Sequence, residues 1–481
     1  MHFGFLRVER IYQFLRPIVL AAIACTTLPV MAAEWRLAPF VEISETYSSN
    51  IALRPAGLEE DEYVTQINPG LSLRGESRRL RLSLFYQLQN LFYANVPGRN
   101  TSNQQMLGSF NSELVRQKLF FEGDTSYRQI VVDPQGDIGQ GNISITGSRE
   151  NIATTSLSPY FRTRVGGWSL AELRYSRDTV RYLDGRWNDS VSNEISGQLA
   201  DANPLDRWTW DMSFFSRKVK YVTGVRPAET WQDIGYTLDY RLSRKFNVNA
   251  RLGYENNEYQ RGVGVAVPTG AYWNVGVTWR PTPRSNFVVG RGERYFGPVW
   301  NLDLTHRGRH SMVNASYIND LSTQQRALLE VPLFDQDGNP IIDPDTSEQV
   351  IGRIPYNEVF LRRLGQLSME YRTLKSTTSA RVYKEYREYQ SSGRKEDIDG
   401  GTLSWRWGFS RQSSLILDGR IEFREVIDAY TDNFLATRAT FERRIGQRLI
   451  MAADVRRTKR ERNNGSDYTE LLLVARLTYR R

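Results

Sequence analysis

The sequence predicts an all-β chain, a transmembrane antiparallel up-and-down β-barrel of about 22 strands with short periplasmic turns and longer extracellular loops. Three observations carry this reading: a period-two alternation of apolar and polar side chains, a hairpin spacing that alternates between tight and long connections, and tryptophans gathered near the strand ends. From Trp208 to Arg217, Trp208, Trp210, Met212 and Phe214 share one face, while Thr209, Asp211, Ser213, Phe215 and Arg217 share the other. Successive strand residues point to opposite faces, so this pattern makes a sheet with one apolar and one mostly polar side. In a soluble sandwich the apolar side would meet a second sheet. Strands of about ten residues with an outward apolar band instead fit a lipid-facing wall.

Taken in order, the chain opens with Arg7, Arg10 and Arg16, an apolar run from Pro17, and the small residues Ala32 and Ala33. This order predicts a secretory signal peptide over residues 1–33, cleaved after Ala32 or Ala33, with residues 34–481 forming a single barrel. Phe40 starts the first strand soon after the expected cleavage, so no separate plug is expected ahead of it. Well-patterned strands follow: Ile234, Tyr236, Leu238, Tyr240 and Leu242 oppose Gly235, Thr237, Asp239 and Arg241, and Phe246, Val248, Ala250, Leu252 and Tyr254 repeat the arrangement. Short polar connections such as Arg116-Gln-Lys, Gly166-Gly and Gly446-Gln-Arg alternate with long ones, among them 48–61, 132–150, 296–299, 322–356 and 427–432. At the end, Leu471, Leu473, Ala475, Leu477 and Tyr479 make one apolar face, like the terminal strand that barrel-assembly machinery engages, although Arg480 and Arg481 replace the usual final aromatic. Trp35, Trp168, Trp208 and Trp279 fall near short turns and Trp187, Trp231 and Trp300 near long ones, which predicts two interfacial bands.

Composition excludes several classes. The 63 Lys and Arg against 54 Asp and Glu give a net charge of +9, but both signs share the same strand faces, unlike a nucleic-acid surface. Cys25 is the one cysteine and lies in the leader, so no disulfide framework is expected. Nothing after the leader is apolar for long enough to make a membrane helix. The mean hydropathy of −0.51 agrees with a wall in which only every second residue meets lipid. The expected location is the cell outer membrane, with its lipid and the barrel-assembly machinery as partners.

Function must then sit in the lumen or the loops. The lumen-lining candidates are Arg81, Arg128, Asp211, Arg217, Asp239, Arg241, Arg251, Glu255, Arg280, Arg372, Arg420, Arg424 and Arg438. Two readings of these stand side by side. They are mutually compensating wall charges, each exposed pair worth about 0–1 kcal/mol, or they form arginine rings whose potential draws acidic polymers through the bore. In the longest loop, Asp335-Gln-Asp-Gly-Asn-Pro-Ile-Ile-Asp-Pro-Asp lacks the ordered spacing of a calcium loop. It reads as a turn around Asp337-Gly338-Asn339 in a projecting hairpin, or as an inward constriction. His306 and His310 flank Arg307-Gly-Arg without a serine and acid grouped in sequence, so no catalytic, cofactor or metal residues are assigned and no cofactor is expected.

Three stretches carry a family likeness: Pro39-Phe-Val-Glu-Ile-Ser-Glu-Thr-Tyr-Ser-Ser-Asn-Ile, Thr65-Gln-Ile-Asn-Pro-Gly-Leu-Ser-Leu, and the segment from Gly297 to Tyr317 containing Trp300, His306 and His310. Together they resemble outer-membrane proteins associated with the PEP-CTERM/exosortase system of Gram-negative bacteria. The first two also occur in porins of the exopolysaccharide type. The resemblance implies a setting of exopolysaccharide synthesis and sorted surface proteins, and brings no catalytic residues. With the charged lumen it leads to the expectation of a non-enzymatic, porin-like conduit or assembly component, with an anionic exopolysaccharide or its export apparatus as partner. The alternatives are a closed structural barrel whose external loops bind a surface polymer or protein, and a barrel hydrolase dependent on His306 or His310.

Overall fold

A computed structural model describes residues 34–131, 136–185, 187–203, 206–222, 226–329, 358–465 and 467–481. The expected leader with Cys25 and the acidic run from Asp335 to Asp345 lie outside these residues. Twenty-two strands make up nearly everything described. The first eleven are β1 (Glu34–Ser48), β2 (Glu62–Glu76), β3 (Leu80–Tyr93), β4 (Thr101–Val115), β5 (Leu119–Val131), β6 (Arg149–Val165), β7 (Ser169–Tyr182), β8 (Ser190–Asp201), β9 (Trp208–Tyr221), β10 (Glu229–Arg241) and β11 (Phe246–Asn256). The second eleven are β12 (Thr269–Trp279), β13 (Ser285–Arg294), β14 (Gly297–Arg307), β15 (Ser311–Ser322), β16 (Phe360–Arg372), β17 (Ser376–Tyr389), β18 (Lys395–Gly408), β19 (Ser413–Val426), β20 (Tyr430–Ile445), β21 (Leu449–Arg462) and β22 (Tyr468–Arg480). A short α-helix, α1 (Gln324–Leu329), follows β15, and a single 3-10 turn, Pro97–Arg99, precedes β4.

Each strand pairs antiparallel with its chain neighbour, and β22 returns to β1 with Phe40 opposite Arg480 and Ser48 opposite Leu472. Closure is required physically, because an open edge in hydrocarbon leaves backbone donors and acceptors unpaired at several kcal/mol each. At the seam Arg480 is an ordinary ladder residue and Tyr479 faces outward, so the apolar outer face continues despite the two terminal arginines. The periplasmic turns are tight: between β6 and β7, Gly166 and Gly167 have φ of 59° and 74°, a left-handed backbone that glycine adopts without a Cβ clash. The external connections are longer in general. Two of them, 295–296 and 427–429, are themselves tight turns, because β14 and β20 begin earlier than the sequence suggests.

The outward face is apolar along most of the strand length. Trp35, Leu37, Val41 and Ile43 on β1 and Leu471, Leu473, Leu477 and Tyr479 on β22 are all exposed there. A ring of packed aromatics marks its lower edge, including Trp208 with Tyr240 at 4.2 Å, Trp279 with Phe287 at 5.2 Å and Phe409 with Phe441 at 5.9 Å. Towards the external ends the same face becomes charged, with Lys384 paired to Asp399 at 3.1 Å, and Lys459 beside Glu461. Charge on a lipid face is costly at the midplane and cheap at the interface, so these residues mark where the strands leave the hydrocarbon.

The upper aromatic band differs from expectation. Trp300 faces outward, with Arg291 at 5.1 Å from its ring. Trp231 has the parity of Asp233 and therefore turns into the lumen, where it stacks on Tyr259 at 5.2 Å. Trp187, in the connection before β8, packs on the inner cluster of Ile130, Ile152, Val180, Tyr182 and Leu328. Proximity to a long loop does not fix facing; strand parity does.

Candidate functional site in the barrel lumen

The polar inner wall is a surface to which the chain's own external connections bind. Residues 136–148, after β5, fold into the mouth and reach the wall formed by β21, β22 and β1–β3. Arg460 donates to the Gly136 carbonyl at 2.6 Å, and Tyr468 and Ile138 exchange hydrogen bonds at 2.7 and 3.0 Å. The Gln140 amide donates to Thr458 Oγ1 at 3.0 Å and to the Arg457 carbonyl at 2.8 Å, while Arg456 donates to the Gln140 carbonyl at 2.9 Å. On the other flank Asn142 donates to Gln89 at 3.1 Å and the Tyr93 hydroxyl to the Ile143 carbonyl at 2.8 Å. Ile143 closes an apolar cluster with Ile51, Val64, Leu91, Tyr93, Leu472 and Val474. A buried backbone must have its polar groups satisfied, and here the wall side chains supply the partners.

Two further segments bridge the mouth. Leu328 of α1 packs against the β5–β7 wall, and Arg128 donates to its carbonyl at 3.4 Å. Residues 257–268 reach the β17–β18 turn, where the Gly262 amide donates to the Gln390 carbonyl at 2.7 Å. Tyr259 in this segment shares a 2.9 Å hydrogen bond with Tyr295 and packs with Leu321, Val359 and Leu361. Burial raises both phenols above their ordinary value, which keeps them neutral.

A different situation holds along β7–β13. There the inner wall borders a cavity of about 570 Å³ under the start of α1, adjoined by a second space of about 350 Å³. The two share Phe215, Trp231, Asp233, Arg251, Leu321 and Arg326 in their linings. Arg251 donates to Asp233 at 3.1 Å, Ser213 at 3.1 Å, Thr237 at 3.2 Å and the Tyr272 hydroxyl at 3.0 Å. The Tyr272 ring lies over Gly253, where a Cβ would overlap it, so glycine lets this ring lie flat on the wall and leaves space inward. Arg217 meets Asp178 at 3.3 Å, Arg174 meets Glu122 at 2.8 Å, and Arg294 bridges Glu255 at 2.5 Å and Asp320 at 2.9 Å.

The sequence candidates distribute over three levels. At the periplasmic rim lie Arg81, 3.9 Å from Glu76; Arg241 at the end of β10; Arg280, in the turn after β12 and bonded to Asn286 at 3.1 Å; and Arg372, 2.5 Å from Glu370. Asp239, just above this rim, accepts from Asn247 at 2.9 Å; higher up Asp211 accepts from Gln198 at 2.5 Å and Asp418 from Arg438 at 2.6 Å, while Arg420 meets Glu422 at 2.8 Å. Arg217 and Arg251 stand above these on the cavity wall. Near the external end, Arg424 pairs with Glu396 at 2.7 Å, both fully buried, Glu255 holds Arg294, and Arg128 lies buried beside α1. The structure therefore joins Arg217 and Arg251 in one cavity, with Glu255 in the adjoining space, and disperses the others around the wall, some in pairs of opposite sign and some on neutral partners.

Sequence reading missed the inward course of 136–148, although its isoleucines at 138, 143 and 145 among glycines are unusual for a solvated loop. It also missed a serine–histidine contact. Strand pairing sets Ser285 opposite His306, with Ser285 Oγ 2.8 Å from His306 Nδ1. Ser285 is also bonded to Thr282 within the turn at 2.9 Å, and among the described residues His306 has no carboxylate partner.

Fold and lumen together define a large outer-membrane β-barrel whose bore is narrowed by its own chain. No family model matches the sequence, and no curated protein matches it. Solved structures do. The FrpB iron transporter from Neisseria meningitidis superimposes in its F3-3 variant with a TM-score of 0.51 over 92% of this chain and 81% of that one, at 10% identity. Its F5-1 variant gives 0.50 over 92% and 82%, also at 10% identity. The siderophore receptor PirA from Pseudomonas aeruginosa gives 0.47 over 93% and 80%, again at 10% identity. At such identity the FrpB likeness is one of architecture.

Proposed function

We propose that this chain is a non-enzymatic outer-membrane conduit that passes a hydrophilic polymer through the sector of its lumen that the described residues leave open. The observation that carries this is the division of the bore among the described residues: one sector is covered towards its external end by residues 136–148, while the β7–β13 sector keeps a polar cavity. The shared architecture with FrpB, described as an iron transporter, supports a transport role in general and transfers no substrate at this identity. The resemblance of residues 39–51, 65–73 and 297–317 to proteins of the PEP-CTERM/exosortase setting supports an exopolysaccharide or its export apparatus as the partner.

Planar-bilayer recording on the refolded barrel tests the proposal. The expected result is a small, discrete conductance that falls when polysaccharide is added. Absence of conductance at every voltage and with every polymer overturns it. A second reading, a barrel that holds a surface polymer on its external connections without conducting, is favoured by the three segments spanning the mouth. It predicts polymer binding without current.

A further inference from the structure

The cavity against β7–β10 contains features that neither a solvated wall nor a closed core explains. Gln325 is only 5% exposed, lines this cavity, and among the described residues has no hydrogen-bond partner for either its Nε2 or its Oε1. Nε of Arg217, on the same lining, is likewise without a partner. A buried amide without a partner among the described residues is costly, so a ligand that brings a donor and an acceptor would be stabilised there. Beside it Phe215 keeps 37% of its surface exposed within an aqueous lumen, and Trp231 adds its ring to the same lining. Apolar area left facing water in a concave site marks contact with a ligand's apolar face.

We propose that this cavity is a subsite for a neutral glycan, an inference that rests on the conduit reading and specifies its cargo. Three arguments select that chemistry. The orphan amide presents a donor and an acceptor together; a hydroxyl satisfies both, whereas a carboxylate or phosphate satisfies the donor alone. The lining carries four guanidinium groups against three carboxylates, close to balance, and three of the four guanidinium groups are held in ion pairs with Glu122, Asp178 and Asp233. That balance removes the excess positive potential a polyanion requires and leaves planar, fixed donors and acceptors suited to vicinal hydroxyls. Finally, Phe215 and Trp231 provide flat apolar surfaces for the C–H faces of pyranose rings. A volume of about 570 Å³ lies within the range of about 300–1,000 Å³ that small-molecule sites occupy.

The test is calorimetric titration of the full barrel, refolded in detergent, with maltohexaose and cellohexaose as neutral probes and hexagalacturonate as the acidic one. A neutral oligosaccharide is expected to bind saturably and more tightly than hexagalacturonate. Gln325→Ala and Phe215→Ala are each expected to weaken it about tenfold, and Phe215→Tyr to retain it, in variants whose folded gel mobility and circular dichroism are unchanged. Failure of both neutral sugars to saturate up to millimolar concentration overturns the proposal, as does tighter binding of hexagalacturonate or affinity indifferent to both alanine variants. Bilayer recording on the same preparation separates the two readings. A barrel that conducts but binds no neutral glycan removes the subsite alone, and one that binds but never conducts keeps the subsite and removes the conduit.

Discussion

Two sectors of one wall share a backbone and an alternation and differ in what covers their inner face. Towards the external ends of β20–β22 and β1–β3 the inward side chains are sealed: Arg460 and Asp432 are 0% exposed and Thr458 and Glu470 1%. Along β9–β12 the inward Asp211, Asp239 and Arg251 stay partly open to the lumen. Both sectors show the same period-two alternation with the same residue types, so the alternation builds the wall without deciding what the bore contains. The difference is made by residues 136–148, whose carbonyls and amides find partners on one sector only. The lesson is that the shape of the lumen is written in the external connections, and the wall supplies a polar template on which they dock.

Removing that docked segment is the strongest way to break the contrast. Replacing residues 137–147 by a short Gly-Ser link between β5 and β6 is expected to raise single-channel conductance several-fold, because the sealed sector then fills with water. Unchanged conductance in planar bilayers would show that passage is limited elsewhere. Next in size is the anchor beneath it. Arg460 holds Asp432 through two hydrogen bonds at 2.8 and 2.7 Å, both side chains fully buried, and also carries the Gly136 carbonyl. Arg460→Ala leaves a buried carboxylate and is expected to cost about 3–5 kcal/mol in urea unfolding, whereas Arg460→Met with Asp432→Leu recovers most of it. A loss below about 1 kcal/mol for the single variant, the value of a solvated pair, would mean that water reaches this sector and that it is not sealed.

The fold was legible because lipid imposes a rule on every second residue, and a rule repeated in strand after strand survives local exceptions. The strand count, the turn chemistry at Gly166-Gly167 and the closing pair of first and last strands all follow from it. The lumen was less legible. Inward positions were readable by parity, yet their grouping was not, because Arg217 and Arg251 meet only once the strands are laid side by side, and Ser285 meets His306 only through register. Trp231 was placed by its nearness to a loop when its parity with Asp233 already pointed it inward. The insertion of 136–148 left a trace in its isoleucines, but nothing in a single sequence says which opposite wall a connection will reach.

The open sector responds more gently. Arg251→Ala removes one positive charge from a hydrated cavity whose partners stay solvated, so stability is expected to fall by no more than about 1 kcal/mol. Its reversal potential in a salt gradient should still move towards cation preference. A large loss of stability would show that this sector too is dry, and the contrast between the sectors would disappear.

The smallest effect is expected at the periplasmic rim, on a contact that belongs to neither sector. Ser285 and His306 lie on the outward parity of β13 and β14, at the level of the lower aromatic ring that includes Phe287. A serine becomes a nucleophile when a base takes its proton and a third group orients that base. Here Ser285 is tied to Thr282 within its own turn, and among the described residues no carboxylate orients His306. The contact is therefore a turn brace worth about one neutral hydrogen bond. His306→Ala is expected to cost about 0.5–1.5 kcal/mol in urea unfolding and to leave conductance unchanged. Turnover of a p-nitrophenyl ester by the refolded barrel, abolished in both His306→Ala and Ser285→Ala, would contradict this and make the rim a hydrolytic site.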